Sequence, residues 1–101
     1  MQMLMHVRFP LDPFNAAVRD GSVGNKLQRI LESIKPDATY FTSTNGQRGG
    51  TLVVRVDSPS DIPRLAEPFF LTFDAKVEFQ PFLTPEDLAG ADLDSLGQKW
   101  G

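Results

Sequence analysis

The sequence lacks cysteine altogether, and this absence excludes several kinds of chemistry. Without a thiol, the chain of 101 residues has no disulfide, no thiol nucleophile and no cysteine-ligated metal site. The absence is compatible with the cytoplasm, where disulfides are rare. Histidine occurs only once, at His6, so any imidazole chemistry must use that residue.

Long apolar runs and a surplus of basic residues are missing as well. No run approaches the roughly 20 apolar residues needed to cross a bilayer, and residues 1–9 are too short for a signal peptide. The net charge is −3, with only ten lysine and arginine residues. Because nucleic-acid binding normally needs a basic face, we predict a cytoplasmic protein with neither nucleic acid nor membrane as a partner.

The composition that remains is that of an ordinary globular protein. Hydrophobic residues make up 41% of the chain and charged residues 23%, which argues against a disordered polypeptide. A chain of this length forms one domain, so we assign residues 1–101 to a single unit. Such a small core benefits from oligomerisation.

The first half of the chain predicts a strand and then a helix. Residues 3–9 alternate between apolar and more polar side chains, as in a half-buried strand. Asp12 is the expected helix N-cap, with Pro13 at the first helical position. Apolar residues then recur at helical spacing as far as Ile34. We expect one continuous helix with a weak centre; a break near Gly21 is the alternative.

The second half predicts a hairpin, a helix and a final strand. Asn45 and Gly46 separate two β-rich segments, which is a strong hairpin signal. Ser60 is the expected N-cap of a helix that Pro68 kinks or restarts. A strand over residues 76–82 is followed by another helix start at Thr84. Residues 90–101 are weakly patterned, and we expect a tail that is flexible or docked on a partner.

The resulting order of elements, βαββαβ, predicts an α+β fold. Right-handed crossovers and one hairpin give a four-stranded antiparallel sheet, with the first and third strands central and two helices on one face. The apolar side of every strand is expected to meet those helices and form one core. The strand residues assigned to this core are Met5, Val7, Phe9, Phe41, Leu52, Val54, Val56, Val77 and Phe79.

The opposite face of this sheet carries an unusual mixture of side chains. It is expected to display Leu4, His6, Arg8, Tyr40, Thr42, Val53, Arg55, Glu78, Gln80 and Phe82. A face open to water is normally more uniformly polar, and a face covered by a core more uniformly apolar. We therefore predict a homodimer in which two such faces meet across a partly polar cavity.

The element order, the hairpin segment after Gly46, the helix start at Ser60 and the closing strand with acids after it resemble a known superfamily. They are similar to the small members, without an assigned activity, of the ferredoxin-like dimeric α/β-barrel superfamily. The resemblance covers nearly the whole chain. It implies a ferredoxin-like βαββαβ domain and a dimeric α/β barrel. Some members of this superfamily are isomerases, monooxygenases or haem enzymes, but no catalytic motif is shared here, so no catalytic residue is transferred.

Five side chains on the mixed face are candidates for lining a ligand pocket: His6, Arg8, Tyr40, Arg55 and Glu78. His6 suits a general base or a haem ligand, but we favour a hydrogen-bonded strand histidine. An arginine pair offers bidentate geometry for a carboxylate ligand, or else forms an ion pair with the glutamate. Tyr40 supplies a hydroxyl or packs at the interface.

Other motifs point to structure rather than to function. The loop Gly46–Gly49 superficially resembles that of an RNA-binding KH module, but it joins two strands instead of two helices. Glu86 and Asp87 fit helix capping, so we predict no metal site and no cofactor. Trp100 either belongs to a loose terminus or anchors on a partner.

Two functional hypotheses follow. The first is a homodimeric ligand-binding or interaction module without a catalytic residue. The alternative is a cavity enzyme of the isomerase or cofactor-free monooxygenase type, in which His6 acts with Arg8 or Arg55 to stabilise an enolate-like anion.

Overall fold

The computed structural model describes all of residues 1–101 and contains one four-stranded sheet. Its strands are β1 (Gln2–Arg8), β2 (Ala38–Thr44), β3 (Gln47–Arg55) and β4 (Lys76–Pro81). They lie in the order β2-β3-β1-β4, and every neighbouring pair is antiparallel. The predicted α+β class, the four-stranded antiparallel sheet and the central position of the first and third strands are therefore confirmed.

The helices are more numerous than the two-helix fold predicts. The connection between β1 and β2 contains α1 (Leu11–Asp20) and α2 (Val23–Ile34), and α3 (Asp61–Phe73) joins β3 to β4. Two short helices, α4 (Pro85–Ala89) and α5 (Leu93–Trp100), follow the sheet. None of the five is long and apolar enough to cross a membrane.

The predicted continuity of the first helix is wrong, because the helix is interrupted at Gly21. Gly21 has a φ of 81°, a left-handed conformation that glycine adopts without steric cost. The Asp20 carboxylate then accepts a hydrogen bond of 2.8 Å from the Ser22 backbone N–H, which turns the chain into α2. The start is also earlier than predicted, since Pro10, not Asp12, is the N-cap. Pro13 is tolerated because first-turn amides have no partner inside a helix.

The predicted hairpin is confirmed at Asn45 and Gly46. Both residues have positive φ, 54° and 74°, as a two-residue type I′ turn requires. Gly49 and Gly50 do not form the bulge or wider loop that the sequence permits; they lie in the regular β3 ladder. A Cβ atom at Gly49 would lie 2.5 Å from the Val7 carbonyl oxygen, so glycine allows β1 and β3 to approach closely.

One hydrophobic core fills the space between the sheet and helices α1, α2 and α3. Its buried members are Met5, Val7, Phe9, Ala17, Ile30, Ile34, Leu52, Val54, Leu65, Phe69, Phe73 and Ala75. The Phe9 ring lies 5.0 Å from Phe14 and 5.2 Å from Phe73, centroid to centroid. Such aromatic pairs contribute about 0.5–1.5 kcal/mol beyond the area they bury.

The prediction that Phe41 belongs to this core is wrong. Phe41 is 55% exposed, because β2 is an edge strand and the three helices pack over the other strands. Its ring instead lies over Gly50, where an added Cβ would be 3.4 Å from the ring. The predicted partners Val56, Val77 and Phe79 do pack against the core cluster.

The start of α3 is held by Asp61 rather than by the side chain of the predicted cap. Ser60 occupies the N-cap position, but its side chain makes no capping bond. The Asp61 carboxylate accepts hydrogen bonds from the backbone N–H of Asp57 at 2.9 Å and of Ser58 at 3.1 Å. These two bonds, the one from Asp57 first, lower the pKa of Asp61. The helix continues through Pro68 without the fresh turn that was predicted as an alternative to a kink.

Residues 84–101, here called the C-terminal arm, extend away from this body. At its start, the Thr84 hydroxyl accepts a bond from the Asp87 N–H, and the Asp87 carboxylate accepts one from the Thr84 N–H. This capping box confirms the predicted helix start and lowers the pKa of Asp87. The arm buries no residue. The radius of gyration is 17.3 Å, against about 13 Å for a compact domain of this size.

Candidate functional site

The candidate site lies on the side of the sheet that faces away from helices α1–α3, here called the outer face. Three complete rows of side chains cross the four strands in register. They are Ala38–Val53–Leu4–Gln80, Tyr40–Thr51–His6–Glu78 and Thr42–Gly49–Arg8–Lys76. The strand alternation predicted from the sequence is therefore confirmed, and all five candidate pocket residues lie on this face.

His6 occupies the centre of the outer face and is bonded on both sides. Its Nδ1 atom lies 3.0 Å from the Thr51 hydroxyl oxygen on β3, and its Nε2 atom lies 2.8 Å from Gln80 Oε1 on β4. The contacts fit a neutral ring in which Nε2–H donates to Gln80 and the Thr51 hydroxyl donates to Nδ1. The imidazole of β1 thus forms side-chain contacts with both neighbouring strands, β3 and β4.

This arrangement limits what His6 does chemically. A general base needs a free lone pair within hydrogen-bond reach of the proton that it removes. In the neutral ring assigned above, the Nδ1 lone pair accepts the hydrogen bond from the Thr51 hydroxyl, and the ring would have to release that bond first. The contacts therefore favour the interpretation of His6 as a hydrogen-bonded strand histidine.

Next to His6, a shallow cavity of about 110 Å³ opens at the β1–β4 side of the outer face. Its lining residues are His6, Arg8, Lys76, Val77 and Glu78. Arg8 and Lys76 are directly opposite each other in the β1–β4 register, and neither has an ion-pair or hydrogen-bond partner. Like charges in such a cross-strand pair repel each other. An anion bound between them would relieve that repulsion.

The remaining two candidates lie apart from this cavity. Tyr40 shares the row of His6 but is two strands away, about 10 Å at the usual strand spacing. Arg55 pairs with Gln2 at the opposite end of β1 from Arg8, about 20 Å along the strand. Arg55 instead approaches Asp37, at 4.0 Å. Within one copy, the two arginines do not form the pair that the carboxylate hypothesis needs.

Three residues of the site were not singled out from the sequence: Thr51, Gln80 and Lys76. Alternation along the strands assigns each of them to the outer face. The alternation does not predict the register between strands that are distant in the sequence. That register brings Gln80 and Thr51 to the two ring nitrogens of His6. The cation pair Arg8–Lys76 depends on the same register.

The strands of the outer face carry more cations than carboxylates. Arg8, Arg55 and Lys76 lie on it with Glu78 as the single opposing carboxylate among its strand residues. No group of three histidine, aspartate or glutamate side chains comes close enough to hold a metal ion. The three cations of the outer face therefore favour an anionic ligand over a cation.

A second concave surface, here called the helix groove, lies between α2 and α3 on the far side of the molecule. Its volume is about 550 Å³, and its lining residues are Lys26, Arg29, Ile30, Ser33, Pro68, Leu71 and Thr72. Its lining combines two cations with the apolar side chains of Ile30, Pro68 and Leu71 and includes no carboxylate.

Comparison of the chain with protein-family models and with curated proteins found no match in either case. The geometry of these two surfaces is therefore the basis for assigning a function.

Proposed function

We propose that this chain is a ferredoxin-like domain that forms a homodimer through its outer face, in the manner of a dimeric α/β barrel, and binds a small anionic ligand between the two sheets. The arrangement of elements supports the fold assignment. Two strands joined by a helical crossover, then a hairpin, then a second helical crossover, lead to the sheet order β2-β3-β1-β4. On this view α1 and α2 together take the place of one crossover helix.

The observation that carries the dimer is an apolar pair on a sheet face that no helix covers. Leu4 and Val53 are paired across β1 and β3 on the outer face, and no helix of the same chain covers them. Polar rows flank this pair on the side of His6. The Gln2–Arg55 pair lies on its other side. Apolar contacts surrounded by polar side chains are the usual composition of a protein–protein interface.

A twofold pair of outer faces also explains the separation of the two arginines. When the twofold axis runs across the strands, the Arg55 end of one face lies over the Arg8 end of the other. Arg8 and Lys76 of one copy then lie near Arg55 of the second copy. Such a group of cations suits a carboxylate ligand, because guanidinium groups bind carboxylates through two parallel hydrogen bonds.

The alternative function, a cavity enzyme that uses His6, stays a prediction. No contact on the outer face favours it, since both ring nitrogens of His6 are already bonded. We therefore propose the non-catalytic module as the primary function.

The test of the dimer is the mass in solution. The monomer mass is 11.2 kDa, and light scattering at micromolar concentration is expected to give at least twice that value. Val53→Asp buries a carboxylate in the proposed interface and is expected to lower that mass, with an unchanged circular dichroism spectrum. Val18→Asp is the matched control, because Val18 is an exposed valine on α1, away from the outer face. A monomeric unmodified chain would overturn the proposal.

The test of the ligand site is calorimetry with succinate as the probe. We expect measurable binding to the dimer that weakens about tenfold or more in Arg8→Ala, since one charged hydrogen-bonding group is worth about 1.5–3 kcal/mol. Arg19→Ala on α1 is the control. Binding that is equal in all three proteins would exclude the outer face as the anion site while leaving the dimer untouched.

A further inference from the structure

The C-terminal arm has an apolar stripe that nothing in the structure covers. Leu93, Leu96 and Trp100 lie at positions i, i+3 and i+7 of α5, which places them on one face of the helix. All three are exposed, Leu96 by 45% and Trp100 by 79%. An isolated helix of eight residues is unstable in water, and amphipathic helices draw most of their stability from packing of the apolar face. The stripe therefore needs a surface to pack against.

The arm also carries the whole net charge of the protein. Residues 84–101 contain four acids, Glu86, Asp87, Asp92 and Asp94, and one cation, Lys99. The remaining residues contain nine acids and nine cations, so the body is neutral and the arm has a charge of −3. Within α5 itself Asp94 and Lys99 balance, so the acids next to the stripe are Asp92 and Asp94 at its N-terminal end. An amphipathic helix with acids at one end fits a surface that combines apolar and basic side chains.

The helix groove between α2 and α3 combines basic and apolar side chains. Lys26 and Arg29 supply the positive charge, and Ile30, Pro68 and Leu71 supply apolar surface. Leu71 is 81% exposed, the most exposed large apolar side chain in the protein. Its side chain is therefore available for contact with an apolar partner.

We propose that α5 of one copy docks in the helix groove of a second copy, with Leu93, Leu96 and Trp100 against its apolar side chains and the acids of the arm beside Lys26 and Arg29. The occupant is a second copy because this one chain carries both complementary surfaces and directs its own arm away from its body, over a longest dimension of 60 Å. Reciprocal exchange of two arms closes a twofold pair. The inference is independent of the outer-face dimer, because it uses the opposite side of the molecule.

The experiment uses Trp100, the only tryptophan in the chain, as its probe. It is carried out with the full-length Val53→Asp variant, and again with Leu4→Asp, so that the outer-face contact does not contribute. The tryptophan emission is expected to shift to shorter wavelength as the protein concentration rises. Leu71→Glu in the groove is expected to abolish the shift. Leu11→Glu, the same substitution at an exposed leucine on α1, is expected to retain it.

A mixing experiment distinguishes docking between copies from docking within one copy. Leu71→Glu has an intact arm and a blocked groove, and Trp100→Ala has the reverse. Neither variant is expected to show the shift alone, but in the mixture the Trp100 emission of the Leu71→Glu copy is expected to shift. A shift that does not depend on concentration, or a mixture that shows no change, would overturn the proposal. So would a Leu71→Glu variant that behaves like the parent.

The charge contribution is tested by exchange of one ion pair. Arg29→Glu is expected to weaken the association about two- to fivefold, as for an exposed pair, and Asp94→Arg in the same chain to restore it. Arg19→Glu on α1 is the control for a change in net charge. Equal weakening by Arg19→Glu and Arg29→Glu would contradict docking in the groove.

Discussion

Leu52 and Val53 are neighbours in β3, yet they lie on opposite faces of the sheet and in different environments. Leu52 is fully packed between the sheet and the helices, whereas Val53 lies on the outer face with no covering layer from its own chain. The same holds along β1 for Met5 and Leu4. The comparison shows that helices of the same chain cover the inner face but not the outer face.

The difference also appears in the chemistry of the two faces. The inner face is apolar at every buried position, because an unpaired polar group there would lose its hydrogen bonds to water. The outer face mixes leucine and valine with histidine, glutamine and three cations. Such a mixture is expected where a second molecule, and not the fold, determines which residues are needed.

The largest predicted effect separates the two faces at adjacent residues. Leu52→Ala removes a buried side chain from the core and is expected to lower the free energy of unfolding by about 2–5 kcal/mol. Val53→Ala, one position along, is expected to lower it by less than about 1 kcal/mol in the monomer. Urea denaturation at neutral pH measures both. Equal losses would show that the outer face is as tightly packed as the core.

A second pair of variants tests whether backbone contact constrains the outer face. A Cβ at Gly49 would lie 2.5 Å from the Val7 carbonyl oxygen, so Gly49→Ala is expected to lower the free energy of unfolding by about 1–3 kcal/mol. At Gly24 in α2, nothing lies within 4 Å of an added Cβ. Gly24→Ala is therefore expected to stabilise by up to about 1 kcal/mol. The same denaturation measurement applies, and destabilisation by both variants would contradict this explanation.

A smaller effect is predicted for His6, the residue at the centre of the outer face. His6→Ala removes the bonds to Thr51 and Gln80, which remain accessible to water and exchange partners readily. We expect the melting temperature to fall by only a few degrees. Thermal unfolding followed by circular dichroism measures it, with Thr51→Val as the partner variant. In the enzyme hypothesis, His6→Ala would in addition abolish turnover, and unchanged turnover would exclude that hypothesis.

The smallest predicted effect is a dependence of stability on pH at Asp61, remote from both faces. Hydrogen bonds from two backbone amides lower the pKa of Asp61 in the folded protein, so its ionised form is favoured by folding. The stability that it contributes is fully present above its ordinary pKa of about 3.9 and is lost as the pH falls through the lowered folded value.

Asp61→Asn is expected to lower the melting temperature at neutral pH and to reduce its decline below about pH 4. Asp12→Asn is the control, because Asp12 forms no hydrogen bond. A decline in acid that is the same in both variants would assign the pH dependence to other carboxylates.

The sequence predicts which residues share a face of the sheet much better than it predicts which of them are neighbours on that face. Period-two alternation placed His6, Arg8 and Arg55 correctly on the outer face. The alternation does not predict how far apart two residues lie along the strands. It therefore did not show that Arg8 and Arg55 lie at opposite ends of the β1–β3 ladder. Register depends on pairing between residues far apart in the chain, as between His6 and Gln80, and no local pattern determines it.

The errors in the predicted helices have equally specific causes. The break at Gly21 depends on a left-handed glycine together with the bond from Ser22 to Asp20, and helical spacing on either side hides both. Phe41 has the alternation of a core residue, but an edge strand beyond the helices leaves it exposed. Phe41 shows that alternation along a strand predicts the face of the sheet on which a side chain lies. Whether that side chain is buried depends on the helices and strands beside it.

The segregation of charge into the C-terminal arm has a consequence for handling the protein. Cleavage near the exposed Leu83 would leave a fragment with equal numbers of acidic and basic side chains. Mutual repulsion between molecules, which keeps proteins apart in solution, vanishes as net charge approaches zero. The trimmed body would therefore be least soluble near neutral pH, where the intact chain still carries its negative charge.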